Sequence, residues 1–287
     1  MKQIRVGVQA MMLKEKFQEL GAYETLRQVG GLGYHSVEIS QIPMTAENVE
    51  QMKRAQDEFG VKIAAVSAWV APAGRPGQET LTTHFEKIVS DCRALNCNFI
   101  RIGMLPFDCM GSMEKVIEFC GMANEAARKL ADEGIKLYYH NHHIEFRKFG
   151  DRTMLDIIRE NADRLGFELD VHWVHRGGYD PVKVIRAYVG KVDLVHLKDY
   201  RIGALPDTAF EALGKGDFRT FMSEFGNVVQ FAEVGEGSLD MGAIIESSLE
   251  SGAKYFFIEQ DNLYGRDVFD CLTTSKHNLN RLGYELI

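Results

Sequence analysis

Short runs rich in β-branched and aromatic residues alternate with longer amphipathic segments along the whole chain. Each short run has the length of a strand and is bounded by turn-forming residues. The eight strands that this pattern predicts lie at 4–10, 36–40, 62–70, 99–104, 136–142, 166–174, 194–200 and 255–261.

The segments between these strands place apolar residues on one helix face. Phe85, Ile88, Val89, Cys92 and Leu95, for example, follow the i, i+3, i+4 spacing of an amphipathic helix. Glycine is the residue that most readily takes the left-handed conformation closing a helix. Helix ends are predicted on this ground at Gly60, Gly134 and Gly252.

Regular alternation of strand and helix predicts a parallel sheet with right-handed crossovers. Eight units in 287 residues give about 36 residues each, which is typical of a (β/α)8 TIM barrel. An open doubly wound sheet fits less well, because no GxGxxG motif follows the first strand. We therefore predict one α/β domain over residues 1–287. A long insertion at 201–237, after strand seven, is predicted to contain a helix at 217–225 and a strand at 228–233.

Charge and composition narrow the class of protein. The 33 Lys and Arg residues against 41 Asp and Glu give a net charge of −8, which argues against a nucleic-acid partner. No apolar run reaches the length of a membrane span, so no membrane partner is expected. The chain begins directly with a strand-like pattern, and its five cysteines are odd in number and lack CxxC spacing. We expect no signal peptide, reduced thiols and a cytoplasmic location.

Reactive side chains cluster where the predicted strands end, which is the edge that carries chemistry in these barrels. Strand six places Glu168, Asp170 and His172 on one face, and strand seven does the same with His196 and Lys198. Charged groups inside a barrel are strongly desolvated unless they bind a cation or one another. With Glu259 on strand eight, this pattern predicts a divalent metal site with oxygen-rich ligation.

Five segments, in order along the chain, resemble the sugar phosphate isomerase/epimerase family with xylose isomerase-like TIM barrels. They are HNHHIEF at 140–146, ELDVHW at 168–173, HLKD at 196–199, VGEG at 234–237 and the closing strand with Glu259. The resemblance implies one divalent metal held by Asp170, His196, Glu259 and a ligand from strand five. The ketohexose 3-epimerase branch has a glutamate where this chain has Tyr138. We expect Glu145 as that ligand instead, with His142 as the substitute.

The resemblance also implies an isomerase or epimerase that acts on a ketose or keto-sugar through an enediolate. Manganese is the expected ion, with Mg²⁺, Co²⁺ and Zn²⁺ as alternatives. We assign acid–base roles to Glu259 and to His140 or His142, with Glu145 beside them, and assign Lys198 or Arg201 to stabilising oxyanion charge. Trp69 and Trp173 are expected to form apolar walls against the sugar. The residues expected to complete the substrate site are Glu38, Arg101, Asn141, His172, Arg201 and Glu236.

Several alternatives stay open at this point. A lyase on the same scaffold, such as an inosose dehydratase or a subunit that cleaves keto-sugar C-glycosides, would share the enolisation step. A sugar-binding barrel without catalysis is the second, because of the tyrosine at position 138. An endonuclease of the same superfamily would need a basic face, which a chain of net charge −8 lacks. We expect a small sugar or polyol ketone as the partner, and a homo-oligomer is possible.

Overall fold

Eight parallel strands close into a barrel in the computed structural model, which describes residues 1–72 and 78–287. Each strand pairs with its neighbours in sequence, and the last pairs with the first. The barrel strands are β1 Val6–Gln9, β2 Ser36–Ile39, β3 Lys62–Ser67, β4 Phe99–Ile102, β5 Lys136–His140, β6 Gly166–Asp170, β7 Val192–Leu197 and β8 Tyr255–Ile258. The predicted (β/α)8 TIM barrel is confirmed.

Helices cover the outside of the barrel between successive strands. They are α1 Lys14–Gly31, α2 Ala46–Phe59, α3 Phe85–Ala94, α4 Met113–Asp132, α5 Met154–Asn161, α6 Val171–Arg176, α7 Pro181–Ala187, α8 Asp207–Gly214, α9 Phe218–Gly226, α10 Met241–Glu250 and α11 Val268–Arg281. Short 3₁₀ turns lie at Ala10–Leu13, Phe107–Met110 and Ile144–Phe146, and the short strands Lys2–Ile4 and Tyr284–Leu286 pair with each other outside the barrel. The predicted glycine ends are confirmed, because Gly60, Gly134 and Gly252 all have positive φ.

The interior of the barrel changes character along its axis. One buried cluster, formed by Ala64, Ala65, Tyr138, Leu194 and Phe257, is separate from the larger core between strands and helices. Titratable side chains are buried nearer the strand ends. The apolar layer stabilises the closed sheet, and the polar layer above it leaves charged groups at the edge where chemistry occurs in such barrels.

The strands end earlier than the sequence pattern predicts. The predicted strand 166–174 ends at Asp170, whose carboxylate accepts a hydrogen bond from the Trp173 amide and caps α6. His172 therefore lies on a helix, and the prediction that it shares a strand face with Asp170 is wrong. The predicted strand 194–200 also ends early, at Leu197, and the separate strand Asp199–Ile202 follows it. Helix-capping side chains override β-propensity at such ends.

The long insertion forms a hairpin and two helices. The strands Asp199–Ile202 and Val229–Ala232 pair in antiparallel fashion, and α8 and α9 lie between them. The predicted helix and strand of this segment are thus found, at 218–226 and 229–232. Helix α8 was not predicted from the sequence; four of its eight residues are apolar, but its only buried ones are Ala209 and Ala212.

Two further expectations concern the whole chain. Among the described residues, no helix combines the length and apolar character that a membrane span requires. All five cysteines are free and buried. The thiols therefore contribute to packing, and the structure contains no disulfide among them.

Candidate metal centre and active site

Four buried side chains meet at the ends of the last four barrel strands. His140 and Asp170 are the final residues of β5 and β6, His196 lies near the end of β7, and Glu259 follows β8 directly. One potential ligand atom from each lies within 4.8 Å of the others. Asp170, His196 and Glu259, which the sequence grouped together, do converge, and His140 joins them.

The contacts within this group, which we call the ligand cluster, leave His140 Nδ1 and Asp170 Oδ2 without a hydrogen-bond partner. The Nδ1 atom of His196 lies 2.5 Å from one oxygen of Glu259, and Gln9 donates to the other oxygen at 3.2 Å. The Oδ1 atom of Asp170 accepts from the Trp173 amide at 2.9 Å, but its buried Oδ2 has no hydrogen-bond partner. A buried carboxylate oxygen without a partner is costly, so this donor set suits a bound cation.

A second group lies beside the ligand cluster and shares His196 with it. Its other members are Glu38 and Glu168. The Nε atom of Arg101 lies 2.8 Å from Glu38 and 3.4 Å from Glu168. A guanidinium therefore already compensates these two carboxylates, and the ligand cluster is the better place for a metal ion.

The buried carboxylates outnumber the permanent cations in this region. Burial raises the pKa of Glu168 to about 8, with repulsion from Glu38 as a further cause. Burial also raises the pKa of Asp170 to about 7, against the attraction of Lys198. Although burial opposes it, the field of Glu168, Glu38 and Glu259 raises the pKa of His196 well above its usual value. The site attracts positive charge, in the form of either protons or a cation.

Lys198 supplies a fixed positive charge next to the ligand cluster. Its ammonium group donates to Asp261 at 2.6 Å and lies 3.7 Å from Glu259 and 3.8 Å from Asp170. The same group lies over the rings of Trp173 and Phe231, at 4.8 and 5.2 Å from their centres. Burial lowers the pKa of Lys198, but the three carboxylates raise it by more, so the net shift is upward. Lys198 is therefore a cation held in place.

Two further imidazoles lie beside the cluster and are neutral near pH 7. Burial lowers the pKa of His142 and that of His172 to about 3. The ring of His142 lies 4.9 Å from that of His140, and His172 packs against Trp173, Tyr200 and Phe231. In both residues the buried Nδ1 atom has no hydrogen-bond partner. Each Nδ1 atom can therefore form a hydrogen bond with a ligand.

The structure does not bring Glu145 into the ligand cluster. The 3₁₀ turn Ile144–Phe146 folds its buried carboxylate back into its own loop. One oxygen accepts from the Tyr139 hydroxyl at 2.7 Å, and the other accepts from the His142 amide at 2.8 Å. Glu145, the expected ligand from strand five, is therefore not among the potential ligand atoms that meet here, and His140 supplies one from the end of β5. Glu145 instead fixes the loop that carries His142.

Three predicted substrate-binding residues are buried around the strand ends. Glu38 and Arg101 form the ion pair described above, and both are almost fully buried. The side chain of Asn141 accepts from the Asp170 amide at 3.0 Å and thereby joins the ends of β5 and β6. These contacts give all three residues a positioning role in the structure.

Three further predicted substrate-binding residues have their described positions in loops and in the insertion. Trp69 is half-buried beyond the end of β3 and bridges to Thr80. Arg201 lies in the insertion hairpin. Glu236 is exposed and accepts from Asn278 of α11 at 2.9 Å.

The carboxylate of Asp199 ties the two ends of the insertion together. It accepts backbone hydrogen bonds from Tyr200, Gly235, Gly237 and Leu239 at 2.8 to 3.2 Å. A Cβ atom on Gly237 would lie 2.1 Å from Asp199, which explains the glycine in the VGEG turn. The role of Asp199, like those of Gln9, Tyr200 and Phe231, was missed in the sequence, because each depends on contacts between distant segments.

Comparison with known proteins agrees with this architecture. The family model described as xylose isomerase-like TIM barrel matches residues 26–262, so the chain belongs to this family. An inosose dehydratase of Geobacillus kaustophilus (strain HTA426) is 23% identical over 284 residues, which cover 92% of this chain and 88% of the relative.

Solved structures of the same fold resemble the whole chain. A sugar phosphate isomerase/epimerase of Parabacteroides distasonis superposes with a TM-score of 0.75 at 19% identity and covers 98% of each chain. The IolI protein with a binding zinc atom gives a TM-score of 0.65 at 14% identity, and the match covers 97% of this chain and 98% of that one. At these identities the likeness shows the shared fold.

Proposed function

We propose that this protein is a metal-dependent enzyme that removes a proton next to the carbonyl of a polyhydroxy ketone, such as a ketose or an inosose. The observation that carries the proposal is the ligand cluster, in which His140, Asp170, His196 and Glu259 approach within 4.8 Å of one another. The enzymes among its relatives include an inosose dehydratase, which acts on a substrate of this class.

The four residues of the ligand cluster would hold one divalent cation. When bound, such an ion acts as a Lewis acid that polarises the carbonyl and orients the substrate. We propose Mn²⁺ as the working ion, with Zn²⁺, Co²⁺ and Mg²⁺ as alternatives. The zinc atom in the structure of IolI, a barrel of the same fold, supports a bound metal in this protein. The buried free cysteines suit a reducing compartment, and we propose the cytoplasm.

We propose His142 and Glu259 as the groups that move the proton. The imidazole of His142 is neutral, because burial lowers its pKa to about 3, and its Nδ1 atom is free to accept. The field of Lys198 and His196 outweighs burial and keeps the pKa of Glu259 well below its usual value. Glu259 is therefore a carboxylate at neutral pH. The fixed ammonium of Lys198 would stabilise negative charge on the substrate oxygen.

A dehydratase is the second candidate, and a specific observation favours it. The end of β5 and the loop after it carry imidazoles, at His140 and His142, so Glu259 is the only carboxylate of the ligand cluster besides the helix cap Asp170. Loss of a hydroxyl group requires a proton donor for the leaving oxygen, and an imidazole that has received the substrate's proton can return it there. The inosose dehydratase relative supports the same outcome.

The test measures proton removal and product together. Protein stripped by chelator and reloaded with Mn²⁺, Co²⁺, Zn²⁺ or Mg²⁺ is incubated in D₂O with ketoses, inososes and 3-keto-glycosides. We expect deuterium at the carbon next to the carbonyl with at least one substrate, and loss in His142→Ala and Glu259→Gln of about 100-fold or more. Glu118→Gln, on the outside of α4, is the matched control. Conserved mass identifies an isomerase or epimerase, and loss of water identifies a dehydratase.

Two results would contradict the proposal. The first is full exchange in both variants. The second is a protein that binds no stoichiometric metal and exchanges no proton with any substrate, which would indicate a sugar-binding barrel without catalysis.

A further inference from the structure

The insertion after β7 exposes a group of large apolar side chains, which we call the insertion patch. Each member has between 45% and 64% of its surface exposed. The members are Ile202, Phe210, Leu213, Phe218, Met222 and Phe225. Helix α9 contributes three of them and has no buried residue at all. A helix of nine residues with so little burial has only marginal stability in water, so we expect another surface to pack against it.

The size of the insertion patch matches one side of a protein interface. A large apolar side chain presents about 200 Å² when fully exposed, so six half-exposed ones present about 600 Å². A stable interface buries about 800 Å² on each partner, and the patch with its polar rim reaches that size. The largest apolar patch on a typical monomeric protein is about 300–600 Å² and is often an interaction site, and this patch lies at the upper end of that range.

The pattern of residue types in α9 is nearly the same when it is read in either direction. Read from either end, residues 218–225 give an apolar residue, a charged residue, a small hydroxyl residue and another apolar residue. An interface with twofold symmetry places the same surface on both partners, so it requires this kind of self-complementarity. In an antiparallel pair of such helices that places Phe218 of one copy against Phe225 of the other, the twofold axis passes between Phe221 and Met222, so the two Met222 residues lie only about 1.5 Å apart along the helix axes.

We propose that a second copy of this chain covers the insertion patch, with the two α9 helices antiparallel across a twofold axis near Met222. The charge of the segment disfavours an anionic membrane as the cover. Residues 207–226 contain four acidic and two basic residues, within a chain of net charge −8. The proposal does not depend on the catalytic function, since none of the six side chains belongs to the ligand cluster.

The first test measures mass in solution by sedimentation equilibrium and by light scattering. We expect the native chain, of 32.4 kDa, to form a dimer. The variant Met222→Glu should weaken dimerisation by about 100-fold, because it buries two charges at the symmetry axis. Ser223→Glu, on the opposite face of α9, is the matched control and should leave the dimer intact. Circular dichroism confirms that both variants are folded.

The second test fixes the geometry of the pair with cysteines. The native cysteines are buried, so an introduced thiol dominates the reaction under mild oxidation. We expect Met222→Cys to form a disulfide-linked dimer with itself, whereas Ser223→Cys does not. Phe218→Cys and Phe225→Cys should cross-link when the two variants are mixed, and far less when each is alone.

Three outcomes would overturn the proposal. They are a native chain that stays monomeric at 100-fold higher concentration, a dimer that tolerates Met222→Glu, and cross-linking at position 223 in place of 222. A further experiment measures binding of the protein to vesicles of one part phosphatidylglycerol to three parts phosphatidylcholine. A monomer that binds them through Met222 would indicate a membrane as the cover.

Discussion

Replacing Arg101 by methionine should destabilise the barrel strongly, because the change leaves buried carboxylates without their cation. The guanidinium lies 2.8 Å from Glu38 and 3.4 Å from Glu168, and all three side chains are at most 5% exposed. Removing one partner of a buried ion pair costs about 3–5 kcal/mol in the free energy of unfolding. Methionine fills similar space, so the loss reports charge more than packing.

The size of this loss should depend on pH in a defined direction. Against burial, Arg101 and His196 lower the pKa of Glu38 to about 2 in the folded protein. This lies below the value in the unfolded chain, so Glu38 contributes stability that persists down to low pH. Without Arg101, burial raises the pKa of Glu38, and a protonated carboxyl needs no cation. The deficit of Arg101→Met is therefore expected to be largest at pH 8 and smaller at pH 5.

Urea denaturation followed by tryptophan fluorescence, in the presence of chelator, measures the effect. Arg128→Met, at an exposed position on α4, is the control and should change stability by about 0.5 kcal/mol or less. The double variant Glu38→Gln/Arg101→Met should recover part of the loss. A deficit of less than about 1 kcal/mol at pH 8, or one that is equal at pH 5 and pH 8, would refute the reasoning.

Three other predictions concern the loops and the ligand cluster. Asp199→Asn should lose about 2–4 kcal/mol in urea denaturation, because an amide cannot accept four backbone hydrogen bonds; a loss below about 1 kcal/mol would count against this role. His140→Ala should lose bound metal, while Glu145→Gln should retain it, as measured by elemental analysis; the reverse pattern would restore the expectation from the sequence. Metal affinity measured by calorimetry should fall as the pH drops below about 7, because burial raises the pKa of Asp170 to that value. A metal affinity that does not change between pH 8 and pH 5 would contradict this prediction.

Strand periodicity and strand order explain what the sequence predicted correctly. Side chains at the carboxyl ends of parallel barrel strands converge, so the placement of Asp170, His196 and Glu259 on three such ends was sufficient to group them. Glu38 and Arg101 follow the same logic and form an ion pair, although β3 lies between their strands, β2 and β4.

The errors arise where local turns override the periodicity. Asp170 ends its strand by capping a helix, which places His172 on that helix. Glu145 turns back to Tyr139 within one 3₁₀ turn, and the spacing of the HNHHIEF segment does not reveal such a turn. The contacts of Gln9 with Glu259 and of Asp199 with the distant VGEG turn join residues far apart in the chain. One sequence alone contains no signal for pairs of this kind.

The most direct test of the central claim is anomalous diffraction from crystals of the protein loaded with Mn²⁺, with Zn²⁺-loaded crystals as a comparison. The account predicts one strong anomalous peak at the ends of β5–β8, at about 2.0–2.3 Å from ligand atoms of His140, Asp170, His196 and Glu259. A peak at Glu145 in place of His140 would contradict the ligand assignment. Fully loaded crystals with no peak inside the barrel would contradict the metal centre itself.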